Sequence, residues 1–255
     1  MVMENLKTMI KKAGQMILAA DLEHADVEVK SSRGDLRTIY DTAVEEFLRQ
    51  ELGRLWPEAQ FIGEESGLQK REAERYCFIV DPIDGTANFA WGYHHSAVSI
   101  ALARGERIMA GLVYNPYLDE LFHARAGEGA YLNGRPIRVS QRSLQDGMVS
   151  FGTSPYDKTK AAATFSLARL LYENALDVRR SGSAALDLCY VACGRCELFY
   201  EMSLYPWDYA AGSLIIAEAG GLLATMEGGE LRFSDRTTLV AGGPPAFHDF
   251  WELYK

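Results

Sequence analysis

Residues 76–86 constrain this chain more than any other stretch. Tyr76-Cys77-Phe78-Ile79-Val80 is an apolar, β-prone run, and Asp81-Pro82-Ile83-Asp84-Gly85-Thr86 follows it directly. The run reads as a buried strand and the hexapeptide as its end. Proline has no N–H for a sheet ladder, so Pro82 is expected to turn the chain out of the sheet. Two carboxylates at a strand end suit a hard divalent cation such as Mg²⁺. Gly85 permits close backbone approach, and the amides after it would hold an anion if a helix or turn begins there. The plain alternative is an acidic turn, because Asp-Gly is common in turns.

Two further segments bear on that choice. Phe61-Ile62-Gly63-Glu64-Glu65-Ser66 is a short apolar run closed by a glycine and paired carboxylates, and Trp207-Asp208-Tyr209-Ala210-Ala211-Gly212 sets an aspartate before a small-residue helical segment. Taken singly, Glu64 and Glu65 read equally as a solvated turn and Asp208 as a helix N-cap. Three acidic segments in one chain favour a shared metal site.

Helical and strand patterns interleave without repeats or low-complexity linkers. Leu6, Met9, Ile10, Ala13, Ile17 and Leu18 form one helical face over Met3 to Ala20, and Thr38 to Leu52 reads as a second helix with Ile39, Ala43, Phe47 and Leu48 inward. His95 to Arg104 alternates Ala97, Ser99, Ala101 and Ala103 with Val98, Ile100 and Leu102, a strand with one strongly apolar face. Strands are also expected over Met109 to Tyr114 and Glu120 to Ala124, with a turn at Asn115-Pro116 and a hairpin at Asn133-Gly134. This half, 1–145, reads as helices against an antiparallel sheet. In 146–255, helices over Lys158 to Glu173, Ser183 to Cys193, Tyr209 to Ala219 and Ala246 to Tyr254 alternate with short strands near Met148, Val178, Leu198, Leu222 and Leu239, an α/β pattern. The expectation is one unit over 1–255, with the site between its halves.

Composition excludes several classes. No apolar run reaches the roughly 18–20 residues that span a bilayer, and Glu4, Lys7, Lys11 and Lys12 interrupt the N-terminal pattern, unlike a signal peptide. Thirty-five acids against 26 bases, a net charge of −9, argue against a general nucleic-acid binder. Cys189, Cys193 and Cys196 lack a histidine neighbour and a common zinc spacing, so with Cys77 they read as buried thiols of a cytoplasmic protein. His24, His94, His95, His123 and His248 are scattered, and none joins a nucleophile motif.

In ordered blocks, Gly63-Glu64-Glu65-Ser66, Asp81 to Phe89 and Trp207 to Gly212, the chain resembles the inositol monophosphatase family of Mg²⁺-dependent, lithium-sensitive phosphatases. Weaker matches at Lys30-Ser31 to Asp41, Val98-Ser99-Ile100, Gly182-Ser183-Ala184-Ala185 and Glu218-Ala219-Gly220-Gly221 extend the likeness from about residue 5 to about residue 250. Arg179-Arg180-Ser181 looks like its bacterial branch. The resemblance implies a layered αβαβα sandwich (α+β / α/β), a homodimer, and two or three Mg²⁺ per site. It implies that Glu64, Asp81 and the Ile83 carbonyl hold one ion, that Asp81, Asp84 and Asp208 hold a second, and that a third leans on Glu64. The Gly85 and Thr86 amides would then bind phosphate. Thr86 and Asp41, with Glu64, would serve the attacking water. Asp84, Gly182, Ser183, Ala184 and Glu201 would meet the substrate, and Lys30 would ride a loop that closes over the site. On its own residues Lys30 reads equally as a surface lysine, and the alternative for Glu201 is an exposed loop glutamate.

The implied reaction is hydrolysis of inositol monophosphate, a small phosphorylated polyol, by in-line attack of water. Fructose 1,6-bisphosphate and 3′-phosphoadenosine 5′-phosphate are alternative substrates on the same scaffold, and a non-catalytic interaction protein is the reading furthest from the residues. A haloacid-dehalogenase-type nucleophile is excluded, because it needs Asp-x-Asp and these aspartates are one residue further apart. The chain departs from the family at His94, where a proline is usual, and at Arg37 and Tyr40, where smaller residues are usual.

Overall fold

Leu6, Ile10, Ala13 and Ile17 recur at helical spacing, and their burial fixes the first helix, α1 (Val2–Leu18). The protein is seen in a computed structural model that describes residues 2–22, 26–30, 34–70, 72 and 74–254. His24 and Ser31, named above, lie outside the described residues. A two-stranded hairpin, β1 (Glu28–Val29) with β2 (Leu36–Arg37), leads to α2 (Ile39–Leu55).

Helix α2 corrects one expectation. Its buried residues are Asp41, Val44, Glu45, Leu48 and Leu52, whereas Ile39 is 49% exposed and Ala43 also faces solvent. Two acids occupy the inward stripe, so apolar periodicity pointed to the wrong face; of the four residues expected inward, Leu48 is buried and Phe47 half-buried. Thr38 caps the helix: its hydroxyl accepts from the Tyr40 and Asp41 amides, and Asp41 accepts from the Thr38 amide at 2.7 Å.

The first sheet has seven strands in chain order: β3 (Gln60–Gly63), β4 (Tyr76–Asp84), β5 (Ala97–Arg104), β6 (Arg107–Asn115), β7 (Glu120–Arg125), β8 (Ala130–Leu132) and β9 (Arg135–Pro136). A short helix, α3 (Thr86–Ala90), leaves β4 at Gly85. The sheet is antiparallel except at β3–β4, which are parallel. Strand β5 is buried on both faces. Val98, Ile100 and Leu102 pack with α1 and α2, while Ala97, Ala101 and Ala103 face the middle of the molecule. Those small side chains let an inner helix approach closely. At Gly111 on β6 a Cβ would lie 2.6 Å from the Ala211 carbonyl.

The second sheet gathers β10 (Met148–Phe151), β11 (Asp177–Arg179), β12 (Leu198–Leu204), β13 (Leu222–Ala224) and β14 (Thr237–Gly242) in the order β11-β10-β12-β14-β13. After a 3-10 turn at Lys158–Lys160, α4 (Ala161–Asn174) covers its outer face together with α7 (Pro244–Leu253). Helices α5 (Ala184–Ala192) and α6 (Pro206–Glu218) fill the space between the sheets. The result is a five-layer αβαβα stack: α1 and α2, seven strands, α5 and α6, five strands, α4 and α7.

Proline at 82 does not end β4. The strand runs on to Asp84 with a register shift, because Asp81 pairs Ser99 and Asp84 pairs Ala97. One extra residue sits on β4 there, a bulge, and a bulge tolerates a missing N–H. Residues three apart on a regular strand point to opposite faces. The inserted residue brings Asp81 and Asp84 to the same side.

Candidate active site

Asp81 and Asp84 come from the β4 bulge, and Asp208 comes from the first turn of α6. Together they offer three carboxylate oxygens within 4.8 Å of one another. Asp208 is not the N-cap. Tyr205 holds that position, and Asp208 three residues later accepts from the Tyr205 amide at 2.8 Å. That bond steers one oxygen to the helix start. The Ile83 amide donates to Asp81 at 3.0 Å, and Asp84 accepts from the Ala185 amide at 2.9 Å and from the Ser183 hydroxyl.

Among the described residues no lysine or arginine forms an ion pair with these three acids. Burial pushes Asp81 well above the usual carboxylate range, and the charges of Glu64, Asp84 and Asp208 push it further. Asp208 is raised by burial and then by Asp84 and Glu64. Asp84 rises to about 6 through burial, against the hydrogen bonds from Ser183 and the α5 amides. Crowded oxygen ligands without an internal counter-charge fit a hard divalent cation.

Glu64, at the exit of β3, stands beside this cluster and takes the ammonium of Lys30 at 2.9 Å, while Glu65 takes it at 2.5 Å. Lys30 is therefore not a free surface lysine. Burial raises Glu64 to about 8 against the opposing pull of Lys30. Glu45 on α2 anchors the same turn, accepting from the Glu65 amide at 2.8 Å and from Arg49 at 2.7 Å.

Gly85 has φ +88, a left-handed conformation that suits glycine, and it turns the chain from β4 into α3. Thr86 follows, and its hydroxyl lies 3.1 Å from Asp41 Oδ1 and 3.1 Å from the Ile83 carbonyl. Burial lifts Asp41 to about 6, against hydrogen bonds from Thr38. The hydroxyl–carboxylate pair expected from the sequence is thus assembled from α2 and α3.

A pocket of about 460 Å³ opens over this floor. Glu64, Asp81, Ile83, Asp84, Gly85, Thr86, Gly182, Ser183, Ala184, Glu201 and Asp208 all line it, whereas Asp41 sits behind Thr86. Glu201 is no loop residue: it is buried on β12, accepts from the Ser154 amide at 2.7 Å, and is raised by burial to about 7. Gly152 gives it room, since a Cβ there would overlap its carboxylate.

Sequence reasoning missed several lining residues. Asp187 is buried on α5, four residues after the N-cap Ser183, and accepts from Ser181 at 2.7 Å. Trp91, Tyr93, Tyr156 and Arg180 also line the pocket. Asp187 follows Ser183 by one helical turn, the one spacing that could have flagged it. His94, next to this rim, has φ +57 and stacks on Tyr117. A proline ring locks φ near −65°, so the family's usual proline could not follow this backbone.

The four cysteines are free thiols, and Cys77, Cys189 and Cys196 are buried. No helix among the described residues is long and apolar enough to cross a membrane.

The comparisons with known proteins agree with this architecture. The model of the inositol monophosphatase family matches residues 2–251, and the chain belongs to that family. A protein of Escherichia coli K12 named Nus factor SuhB is 38% identical over 237 residues, 92% of this chain and 88% of that one. An inositol-1-monophosphatase of Mesorhizobium japonicum is 39% identical over 234 residues, 91% and 87% of the two chains. The crystal structure of the extragenic suppressor protein suhB from Bartonella henselae superposes with a TM-score of 0.93 at 36% identity, covering 100% of this chain and 98% of that one.

Proposed function

We propose that this chain is a Mg²⁺-dependent phosphomonoesterase that hydrolyses inositol monophosphate to inositol and phosphate. The observation that carries the reading is the crowded triad Asp81, Asp84 and Asp208 beside the Thr86–Asp41 pair. In this reading the triad, with Glu64 and the Ile83 carbonyl, holds two or three cations. Bound Mg²⁺ supplies a nucleophilic water at neutral pH and neutralises charge on the phosphoryl and leaving oxygens.

The chain's own groups do the rest. The Gly85 and Thr86 amides, at the turn into α3, bind phosphate oxygens. Thr86 Oγ1 accepts a hydrogen bond from the attacking water while its own proton is directed at Asp41 Oδ1. Asp41 thereby orients the water and draws off its proton. Glu201, Asp84 and the Gly182-Ser183-Ala184 turn accept or donate hydrogen bonds to the polyol hydroxyls. Lys30 holds Glu64 from the β1–β2 hairpin and closes that side. Among the described residues no side chain stands as a covalent nucleophile, so in this reading attack is direct, with inversion at phosphorus.

The reading extends to a single unit over 1–255 with its halves meeting at the site, a homodimer, a cytoplasmic location, no nucleic-acid ligand, and uncompetitive inhibition by Li⁺. The decisive experiment is phosphate release from inositol 1-phosphate with and without Mg²⁺. Release that persists after exhaustive chelation, or none at any Mg²⁺ concentration, rejects it. Competitive Li⁺ inhibition rejects the lithium arm alone.

A second reading is favoured by the name Nus factor carried by a relative at 38% identity. It gives this chain a protein-interaction role beside catalysis. Recovery of the same partners by wild type and by Asp81→Asn would support it. Loss of every partner in the wild-type chain would remove it.

A further inference from the structure

Among the described residues that line the pocket, Asp187 is the one buried acid to which the proposed reaction gives no task. We propose that Asp187 is a positioning residue: it holds Ser181, and through Ser181 the Gly182-Ser183-Ala184 turn, in the place where that turn meets the substrate. This rests on the phosphatase reading above and adds a residue to it.

Asp187 is 3% exposed on α5, one helical turn after Ser183. A buried carboxyl is costly without a partner, and the partner here is neutral: the Ser181 hydroxyl donates to Asp187 Oδ2 at 2.7 Å. The charges acting on Asp187 are those of Glu201 and Asp84, and both are negative. Burial holds the carboxyl well above the usual carboxylate range against the bond from Ser181, and those two charges push it further. The side chain thus serves as an acceptor of fixed direction rather than as a charge.

That bond is the far end of a connected path. The Ser183 amide donates to Ser181 Oγ at 3.3 Å, so the hydroxyl that Asp187 holds also closes the turn across Gly182. The Ser181 carbonyl takes Asn88 Nδ2 at 3.0 Å, which ties the turn to α3. Ser183 gives its hydroxyl to Asp84 Oδ2, and the Ala185 amide donates to the same oxygen at 2.9 Å. Gly182, with φ +95, brings no stiffness of its own. Asn88 and Asp187 supply it from two sides. A Cβ on Gly85 would lie 3.0 Å from the Gly182 carbonyl, so the turn is pressed against Gly85 and a shift of Ser181 carries into the pocket.

The test compares inositol 1-phosphate with p-nitrophenyl phosphate, an ester without polyol hydroxyls, at saturating Mg²⁺. Asp187→Ala and Ser181→Ala should each raise KM for inositol 1-phosphate about tenfold with little change in kcat, because binding common to ground and transition states is lost. KM for p-nitrophenyl phosphate should move by less than about twofold. The double variant should be no worse than either single one, since both remove the same bond. Asp187→Asn keeps the acceptor and should restore most of the affinity. Ser181 is half-buried, so its variant carries the test should Asp187→Ala fail to fold. An unchanged KM in Ser181→Ala, equal losses on both esters, multiplicative losses in the double variant, or an Asp187→Asn as impaired as Asp187→Ala overturns the role and leaves the phosphatase reading standing. No release from either ester by wild type overturns both.

Discussion

Glu197 and Asp81 are both carboxylates closed off from solvent near strand ends, and their surroundings are opposite. Glu197, 1% exposed, receives Arg142 through Nε at 2.7 Å and Nη2 at 2.5 Å, and the Met148 amide at 2.5 Å. Asp81 receives one amide, and the charges that act on it are those of Glu64, Asp84, Asp208 and Asp41. A buried charge is costly unless paired. Glu197 has its cation within the chain and fastens the Arg142 segment to β10 and β12. Asp81 has none among the described residues, and a cation from outside would offset the repulsion among Asp81, Asp84 and Asp208. The contrast separates a fastener from a site.

Removing charge should therefore act in opposite directions at the two places. Asp81→Asn or Asp208→Asn should lower kcat by about 10²–10³-fold or more, while the metal-free protein melts at the same or a higher temperature because like-charge repulsion falls. Retained phosphate release, or a collapsed melting temperature, breaks the comparison.

The Thr86–Asp41 pair tests how far the site extends behind the pocket wall. Thr86→Ala and Asp41→Asn should each cost about 10- to 100-fold in kcat, and the double variant less than the product of the two. Asp41 accepts a proton only when ionised, and burial raises it to about 6. Activity should thus fall as pH drops, with an acid limb at or below about 6, because bound cations favour the carboxylate. Multiplicative losses, or an acid limb unchanged in Asp41→Asn, would separate the two residues.

At the fastener the readout is stability. Glu197→Gln should cost about 2 kcal/mol, since Arg142 is half in solvent and the Met148 amide loses a charged acceptor. The kcat of the folded fraction should be retained. A loss of activity without a loss of stability would place Glu197 with the site instead.

His123 gives the smallest effect and a cationic counterpart. It stacks on Tyr131, and burial first, then Lys7, lower it to about 4. An unfolded histidine titrates near 6.5, so the unfolded chain binds the extra proton between those values. Stability is intact above about pH 6.5 and is lost as pH falls toward about 4. His123→Gln should flatten that slope in urea melts, and an imidazole titrating near 6.5 by NMR would contradict it.

Local patterns made most of the fold legible. The alternation of Val98, Ile100 and Leu102 with alanines marked β5, and Leu6, Ile10, Ala13 and Ile17 marked α1. Errors fell where function interrupts the pattern. Asp41 and Glu45 occupy the buried stripe of α2, so Ile39 and Ala43 took their place in the reading. Pro82 looked like a strand end and is a bulge. Asp187 carries no motif of its own, and it became visible only when β4, β12 and α5 met at one pocket.

By itself the sequence determined the chemistry at hand: two aspartates beside a Gly-Thr, a Gly-Glu-Glu turn, and an aspartate opening a small-residue helix. Spacing along the chain also determined that these lie at element ends, because hydrophobic periodicity stops at each of them. The tertiary structure alone decided which of the acids come close enough to hold one cation. That depends on a register shift between β4 and β5 and on a helix packed against Gly111, and contacts between residues 81 and 208 leave no periodic trace in either segment. It also decided that Lys30 belongs to Glu64 and Glu65, since ion pairs form through space.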